Sequence, residues 1–167
     1  MSCGSCGGSY PGGVLARQGA QGIPGPPGPA GPIATATSGF AANTQNDTIT
    51  VVLGGTDIPL PDGQNFSTDI TPNLTNTEFM VTEAGRYYIS FHVNPSASVL
   101  ASAQLAINGT PISQSIVTPT VGVNKLSGEV IVSLNANESI SLQLAGIAAL
   151  VLLSSGVGAS LTIIRVE

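Results

Sequence analysis

Glycine recurs at every third position through residues 19–33, in five uninterrupted Gly-X-Y triplets with proline at several X and Y positions. Only glycine fits at the crowded axis where three polyproline II chains meet, so this period predicts a collagen-like triple helix and therefore a trimer. The alternative is a proline-rich linker that is extended but single-stranded. Five triplets are too few to hold three chains together unaided, so we expect a trimeric domain beside them. The glycines of the triplets are Gly19, Gly22, Gly25, Gly28 and Gly31.

Residues 1–18 form a leader rich in glycine and serine, with Cys3 and Cys6 spaced as C-G-S-C. It has neither a basic n-region nor an apolar h-region, so we expect synthesis in the cytoplasm without a secretory signal peptide. Three interpretations of the cysteines stay open: disulfides within or between subunits once the protein leaves the reducing cytoplasm, a zinc site shared by a trimer, or idle thiols in a flexible tail. A thioredoxin-like redox site would need a βα context, which this leader lacks. Of the three interpretations we favour covalent cross-linking.

Residues 34–167 alternate short runs of Val, Ile, Leu and Ala, interleaved with Ser and Thr, with turn signals such as Asn108-Gly109 and Asn135-Ala-Asn137. Such runs suit half-buried pleated strands, and no stretch shows a helical period with caps. The pattern predicts an all-β sandwich or barrel as the globular domain. The predicted strands are Thr48–Leu53, Glu78–Thr82, Arg86–Asn94, Val99–Ile107, Pro111–Val117, Leu126–Leu134, Glu138–Leu144, Ala148–Leu153 and Ala159–Val166.

The composition disfavours several classes of function. Four Lys and Arg against nine Asp and Glu give a net charge of −5, so we expect no basic face and no nucleic-acid partner. One histidine, two cysteines and no tryptophan leave few groups for catalysis, so we expect neither an enzyme nor a cofactor. Only 8% of the residues are charged, against about 25% in a typical soluble domain. We therefore expect copies of the chain to cover much of its surface.

Three further features are candidate sites. His92 lies on the predicted strand Arg86–Asn94, on the face of Tyr88 and Ser90, and it has no Cys or His nearby, so we expect a structural role. The apolar run Leu144–Leu153 is about half as long as a membrane span, so we assign it to the core and the trimer axis and expect no membrane partner. A loop holds three carboxylates that could bind Ca²⁺ together with their copies in a trimer, but their spacing matches no EF-hand, so we expect solvated side chains and no metal site: Asp57, Asp62 and Asp69.

Several motifs of the globular part resemble the tumour-necrosis-factor and complement-head jelly rolls. The stretch FMVTEAGRYYISFHV, residues 79–93, is similar to the central strand pair of that family, and Leu105-x-Ile107-Asn108-Gly109 is similar to its next hairpin. Residues 128–134 and 138–144 are similar to its late strands, and residues 160–166 to its last. Across residues 19–167 the likeness is strongest to the BclA-type collagen-like glycoproteins of the exosporium of Bacillus spores.

This resemblance implies a homotrimeric jelly-roll β-sandwich at residues 34–167, a collagen-like stalk at 19–33 and a flexible leader at 1–18. The implied function is that of a structural subunit of a spore surface filament or appendage, which assembles head to tail or is anchored through its leader with disulfide cross-links. Its partners would be copies of itself and other spore-coat or exosporium proteins. The alternative is a trimeric tip on a spore or phage fibre that binds a receptor or glycan.

Overall fold

The computed structural model of the chain describes residues 4, 7–8, 12, 21–28, 37–147 and 149–167. The chain divides into two compact units, residues 1–31 and 32–167. In the first unit, residues 21–28 form no hydrogen-bonded secondary structure and are exposed. Gly22, Gly25 and Gly28 have no neighbour within 4 Å of the position that a Cβ would take. Cys3, Cys6, Gly19 and Gly31 lie outside the described residues.

The second unit is all-β, as the strand pattern predicts. Antiparallel strands pair into two sheets that pack face to face, with a separate two-stranded ribbon at one end. The strands of the described residues are β1 (Ser38–Asn43), β2 (Thr48–Val51), β3 (Thr56–Asp57), β4 (Asp62–Phe66), β5 (Ile70–Pro72), β6 (Glu78–Val81), β7 (Gly85–Val93), β8 (Ser102–Ile107), β9 (Thr110–Pro111), β10 (Leu126–Leu134), β11 (Glu138–Ala145), β12 (Ala149–Leu152) and β13 (Ala159–Arg165).

The five-stranded sheet has the order β10-β7-β13-β1-β4, so its centre consists of strands that lie far apart in the chain. The second sheet has the order β5-β6-β11-β8-β9, with β3 paired to β11, and β12 pairs with β2 in the ribbon. In both long strands, β7 and β10, more buried and more exposed residues alternate, because one side of their sheet faces the other sheet. On β7 the inward side chains Tyr87, Ile89, Phe91 and Val93 are all fully buried.

The sequence missed or misplaced several strands. β1, β3 and β5 were not predicted, and neither was β4, which begins at Asp62 within the sequence Pro61-Asp62-Gly63. Gly63 has φ of +58° and lies where the β1–β4 register shifts, so β4 carries a bulge that only a residue tolerant of positive φ accommodates well. The predicted strand Pro111–Val117 becomes a short strand followed by the 3₁₀ turn Ser113–Ser115.

Tyr87 is the largest side chain that the sandwich buries completely, and its hydroxyl donates a 2.6 Å hydrogen bond to the Glu83 carbonyl. We expect Tyr87→Phe to lower the free energy of unfolding by about 1–2 kcal/mol, because the carbonyl loses its donor. Burial is the main reason that the pKa of Tyr87 lies above 10.0. As the pH rises above 10, the unfolded chain therefore loses the Tyr87 proton more easily than the folded chain, and the wild type loses stability. The variant has no phenol at residue 87 and does not lose stability in this way.

Urea unfolding of the wild type and of Tyr87→Phe from pH 8 to about pH 11 measures this effect. The stability difference between the two should stay constant up to the pKa of an unfolded tyrosine and then narrow. A difference that stays constant to the highest pH would show that Tyr87 ionises as easily in the fold as in the unfolded chain.

Candidate functional site

The outward side of the five-stranded sheet is one of the two outer faces of the sandwich. On β7 it carries Tyr88, Ser90 and His92, which alternate with the buried residues of the same strand. The strands on both sides of β7 place their own outward residues in register with these. We call this surface the open sheet face and define it by Phe40, Tyr88, Ser90, His92, Glu129, Ile131, Thr162 and Ile164.

The middle of the open sheet face is apolar. Tyr88 lies opposite Ile131 of β10 on one side and Ile164 of β13 on the other. Phe40 lies opposite Thr162, one step further along the sheet. Ile131 is 54% exposed and Phe40 38% exposed, although solvent-facing positions of an antiparallel sheet are usually polar. Such a strip is suited to pack against another protein surface.

Glu129 and Tyr88 form a polar pair at the margin of this strip. The Tyr88 hydroxyl donates a 2.6 Å hydrogen bond to Oε2 of Glu129. This bond to a carboxylate raises the pKa of Tyr88 above its usual value, because ionising the phenol would remove the donor and place two negative charges together. The Tyr88 phenol therefore stays neutral throughout the physiological pH range and keeps its hydrogen bond to Glu129.

His92 lies at the end of the same face, exposed and in register with Ser127 and Ser160. Its position on the face of Tyr88 and Ser90 is as predicted. No group of three or more Cys, His, Asp and Glu side chains occurs among the described residues, so nothing in that part of the chain gathers ligands around this imidazole.

The three loop carboxylates serve three different parts of the fold. Oδ1 of Asp57 accepts a 3.0 Å hydrogen bond from Gln143, and Oδ2 of Asp69 accepts one of 3.0 Å from Thr37. Asp62 accepts hydrogen bonds from Gln45 and from both the amide and the hydroxyl of Thr44, and these bonds lower its pKa. Within one protomer each carboxylate has its own structural partners, and the three do not form one site.

Within one protomer the apolar run Leu144–Leu153 is only partly core, and its place at the trimer axis stays a prediction. Leu144, Val151 and Leu153 are fully buried, but Ile147 is 85% exposed and Leu150 is 72% exposed. The reason is the alternation of β12, which pairs with β2 in the ribbon and buries only one of its sides. The exposed part of this run lies on the ribbon and the turn before it, away from the open sheet face. Among the described residues, no helix is long and apolar enough to cross a membrane.

The sequence did not single out the apolar residues of the open sheet face. The signal was present in β10, where apolar residues occupy both sides of the strand: Val130 and Val132 face inward and Ile131 faces outward. The signal from Phe40 was weaker, since β1 itself was not predicted. The face forms only when β13 and β1 pair in the same sheet, which no local pattern shows.

Two solved structures show the class of fold. The globular domain of zebrafish complement 1qA protein superposes with a TM-score of 0.55 at 14% identity, over 78% of this chain and 98% of that one. The crystal structure of rabbit GITRL superposes with a TM-score of 0.50 at 13% identity, over 78% and 94% of the two chains. No curated protein matches the sequence. The fold is thus a complement-head-like jelly-roll sandwich, as the sequence resemblance implied.

The sequence identifies a family, whereas the superpositions show only the class of fold. Residues 39–167 match the BclA C-terminal domain, and this stretch covers β1 to β13 apart from the first residue of β1. The chain therefore belongs to the BclA C-terminal domain family. Over residues 39–167 the match also confirms the likeness to the BclA-type proteins that the sequence indicated.

Proposed function

We propose that the chain is a non-enzymatic, homotrimeric structural subunit of a bacterial spore surface filament or appendage. The sandwich is the trimeric head, and the open sheet face is its self-association surface. Residues 19–33 form a collagen-like stalk, and residues 1–18 form a leader that anchors the subunit or joins it head to tail to the next. Disulfides of Cys3 and Cys6 cross-link the assembly at the spore surface.

The observation that carries this proposal is the apolar strip on the open sheet face. Ile131 and Phe40 are too exposed for a core and too apolar for a solvated sheet face, so a protein partner is expected there. A second and third copy of the same chain supply that partner, because the Gly-X-Y period of residues 19–33 independently favours an assembly of three chains. Membership of the BclA C-terminal domain family supports an exosporium location.

A second candidate function is a trimeric tip that recognises a receptor or glycan. The exposed Ile147 and Leu150 favour it, because apolar loops at one end of the sandwich are a feature that a purely structural head does not need. Both functions use the same trimer and differ in whether the heads join into fibres.

Negative-stain electron microscopy of the purified full chain, with and without reductant, distinguishes these functions. We expect fibres under oxidising conditions, and single trimers after reduction or in the Cys3→Ser/Cys6→Ser variant. The matched control is Ser5→Ala in the same leader, which should form fibres like the wild type. Single trimers of intact wild type under oxidising conditions would contradict cross-linked assembly and favour the tip. A chain that is monomeric in every condition would contradict both.

A further inference from the structure

The sequence contains two pairs in which glycine follows an aspartate or an asparagine, Asp62-Gly63 and Asn108-Gly109. In such a pair the glycine nitrogen can attack Cγ of the preceding side chain and close a five-membered succinimide ring, because glycine has no side chain that blocks the approach. For asparagine the leaving group is ammonia, and this reaction is one reason that asparagine is thermolabile. The two pairs lie in different surroundings, which predict that only one of them reacts.

Asn108 and Gly109 form the turn between β8 and β9, and both are exposed. The Gly109 amide donates no hydrogen bond within the described part of the chain, and nothing lies within 4 Å of the position that its Cβ would take. β9 has only two residues, both exposed, and it is the last strand at one edge of its sheet, so this hairpin tip opens at low cost. The attacking nitrogen is therefore exposed to solvent and unrestrained.

The carboxamide of Asn108 is held through its oxygen. Oδ1 accepts a 2.9 Å hydrogen bond from the amide of Ser139 and a 3.4 Å hydrogen bond from the Ser139 hydroxyl. Donors aimed at a carbonyl oxygen stabilise the negative charge that the oxygen gains when a nucleophile attacks the carbon. Ser139 thus favours attack at Cγ of Asn108. No described residue accepts a hydrogen bond from Nδ2, so the leaving nitrogen is not held in place.

Asp62-Gly63 has the opposite arrangement. Oδ2 of Asp62 accepts 2.8 Å hydrogen bonds from the amide and the hydroxyl of Thr44, and Oδ1 accepts one of 2.9 Å from Gln45. These bonds lower the pKa of Asp62 and keep it an ionised carboxylate, which repels a nucleophile and has no good leaving group. The pair also lies within β4, which β1 holds in the sheet. We therefore expect no ring closure at Asp62.

We propose that Asn108-Gly109 is a site of spontaneous deamidation in the folded protein, with water as the co-reactant. The Gly109 nitrogen loses its proton to hydroxide and attacks Cγ of Asn108. The N–Cγ bond forms, and Nδ2 leaves as ammonia with a proton from water. Water then opens the succinimide: breaking the new bond gives aspartate, and breaking the original peptide bond to Gly109 gives isoaspartate. Either product makes the net charge of −5 more negative by one charge.

The two products affect the hairpin differently. Aspartate keeps the length of the turn and can accept the same hydrogen bonds from Ser139. Isoaspartate adds one atom to the main chain of a two-residue turn, which disturbs the pairing of Ile107 with Thr110. We expect isoaspartate to loosen β9 from the edge of the second sheet as the protein ages. Asn108 belongs to the second sheet and not to the open sheet face, so the reaction does not require the trimer proposed above.

Peptide mapping by mass spectrometry measures the reaction after incubation of the full chain at pH 8. The peptide with Asn108 should gain about one dalton and become a substrate for isoaspartyl methyltransferase, about tenfold or more faster than any other asparagine peptide. Asn46, Asn76 and Asn137 are internal controls, because they share the positive φ of Asn108 but precede residues with side chains. The peptide with Asp62 should accept no methyl group.

Three variants at the turn test the chemistry and its effect on the fold. Gly109→Asn keeps a residue that tolerates positive φ but adds a side chain beside the nucleophile, so conversion of Asn108 should slow about tenfold. Asn108→Gly supplies a Gly-Gly turn that cannot form the ring, so methylation there should disappear. Asn108→Asp adds the charge without the extra main-chain atom. Aged wild type should therefore unfold at lower urea concentration than freshly purified Asn108→Asp, whereas thermal unfolding of all three fresh variants should show an intact sandwich.

The rate in the folded protein should lie within about tenfold of the rate in urea, because the hairpin tip opens easily. Conversion in urea alone would show that the turn protects Asn108 and would overturn the proposal. Equal rates at Asn108 and at the three control asparagines would overturn it as well. Methylation at Asp62 as fast as at Asn108 would contradict the protection assigned to the hydrogen bonds of Asp62. Aged protein as stable as Asn108→Asp would contradict the loosening of β9.

Discussion

Ile131→Asp is expected to convert the proposed trimer into monomers without unfolding the sandwich. Ile131 lies on the solvent side of β10 and is 54% exposed in the protomer, so an aspartate there has room and water in the isolated chain. In a trimer that buries the open sheet face, the same substitution places three carboxylates in an apolar contact, next to Tyr88 and Glu129. An unpaired charge at such a site should raise the dissociation constant on the order of 1,000-fold.

Sedimentation equilibrium over a range of concentrations measures the effect. The matched control is Met80→Asp, which introduces the same charge on the outward side of β6 in the other sheet, where Met80 is 38% exposed. The control should remain a trimer. Trimers of Ile131→Asp, or monomers of Met80→Asp, would contradict the open sheet face as the self-association surface. Circular dichroism of both variants should match that of the wild type.

The alternating sequences made the class of fold predictable. Tyr87, Ile89, Phe91 and Val93 recur at every second position, and a strand with that period has one buried side whatever its neighbours are. The hairpin turn was predictable in the same way, from two adjacent residues. Asn108 and Gly109 do take the positive φ values, 49° and 76°, that a tight hairpin turn requires. The family resemblance rested on these same segments.

The parts that the sequence did not predict depend on contacts between distant segments. β1 reads Ser-Gly-Phe-Ala-Ala-Asn, which has little β-propensity, and it becomes a strand because β13 and β4 pair on its two sides. The segment predicted as strand Pro111–Val117 is no longer a strand after Pro111, and in the 3₁₀ turn that follows the Ser115 hydroxyl accepts a 2.9 Å hydrogen bond from the Leu105 amide. Contacts of this kind with distant segments produce no periodic pattern in the local sequence.

The candidate site was harder to predict than the fold for a related reason. Gln104 and Gln143 occupy positions that alternation places on the solvent side of their strands, yet each is 5% exposed. The segment that includes β3 covers them, and the amides form a chain from Gln104 to Gln143 to Asp57 through two 3.0 Å hydrogen bonds. An outward residue can contact water, another segment or another copy of the chain. The alternation within its own strand does not show which of these covers it.

Gly128→Val on the edge strand β10 should destabilise the sandwich strongly. Gly128 lies opposite Phe91, and a Cβ at this position would be 2.8 Å from two ring atoms of Phe91 and 3.2 Å from a methyl group of Val117. Phe91 is fully buried, so its ring cannot move aside into solvent. We expect a loss of about 3 kcal/mol in the free energy of unfolding, measured by urea denaturation, since overpacking displaces the ring from its place in the core.

Two further variants separate this clash from the general effect of a branched residue at a glycine. Gly54→Val is the control, because nothing lies within 4 Å of its Cβ position, and it should cost far less. Phe91→Leu removes the two ring atoms that the introduced valine would meet, so it should recover part of the loss in the double variant although it is destabilising alone. If the two losses simply add, contact with the Phe91 ring is not the reason that glycine occupies this position.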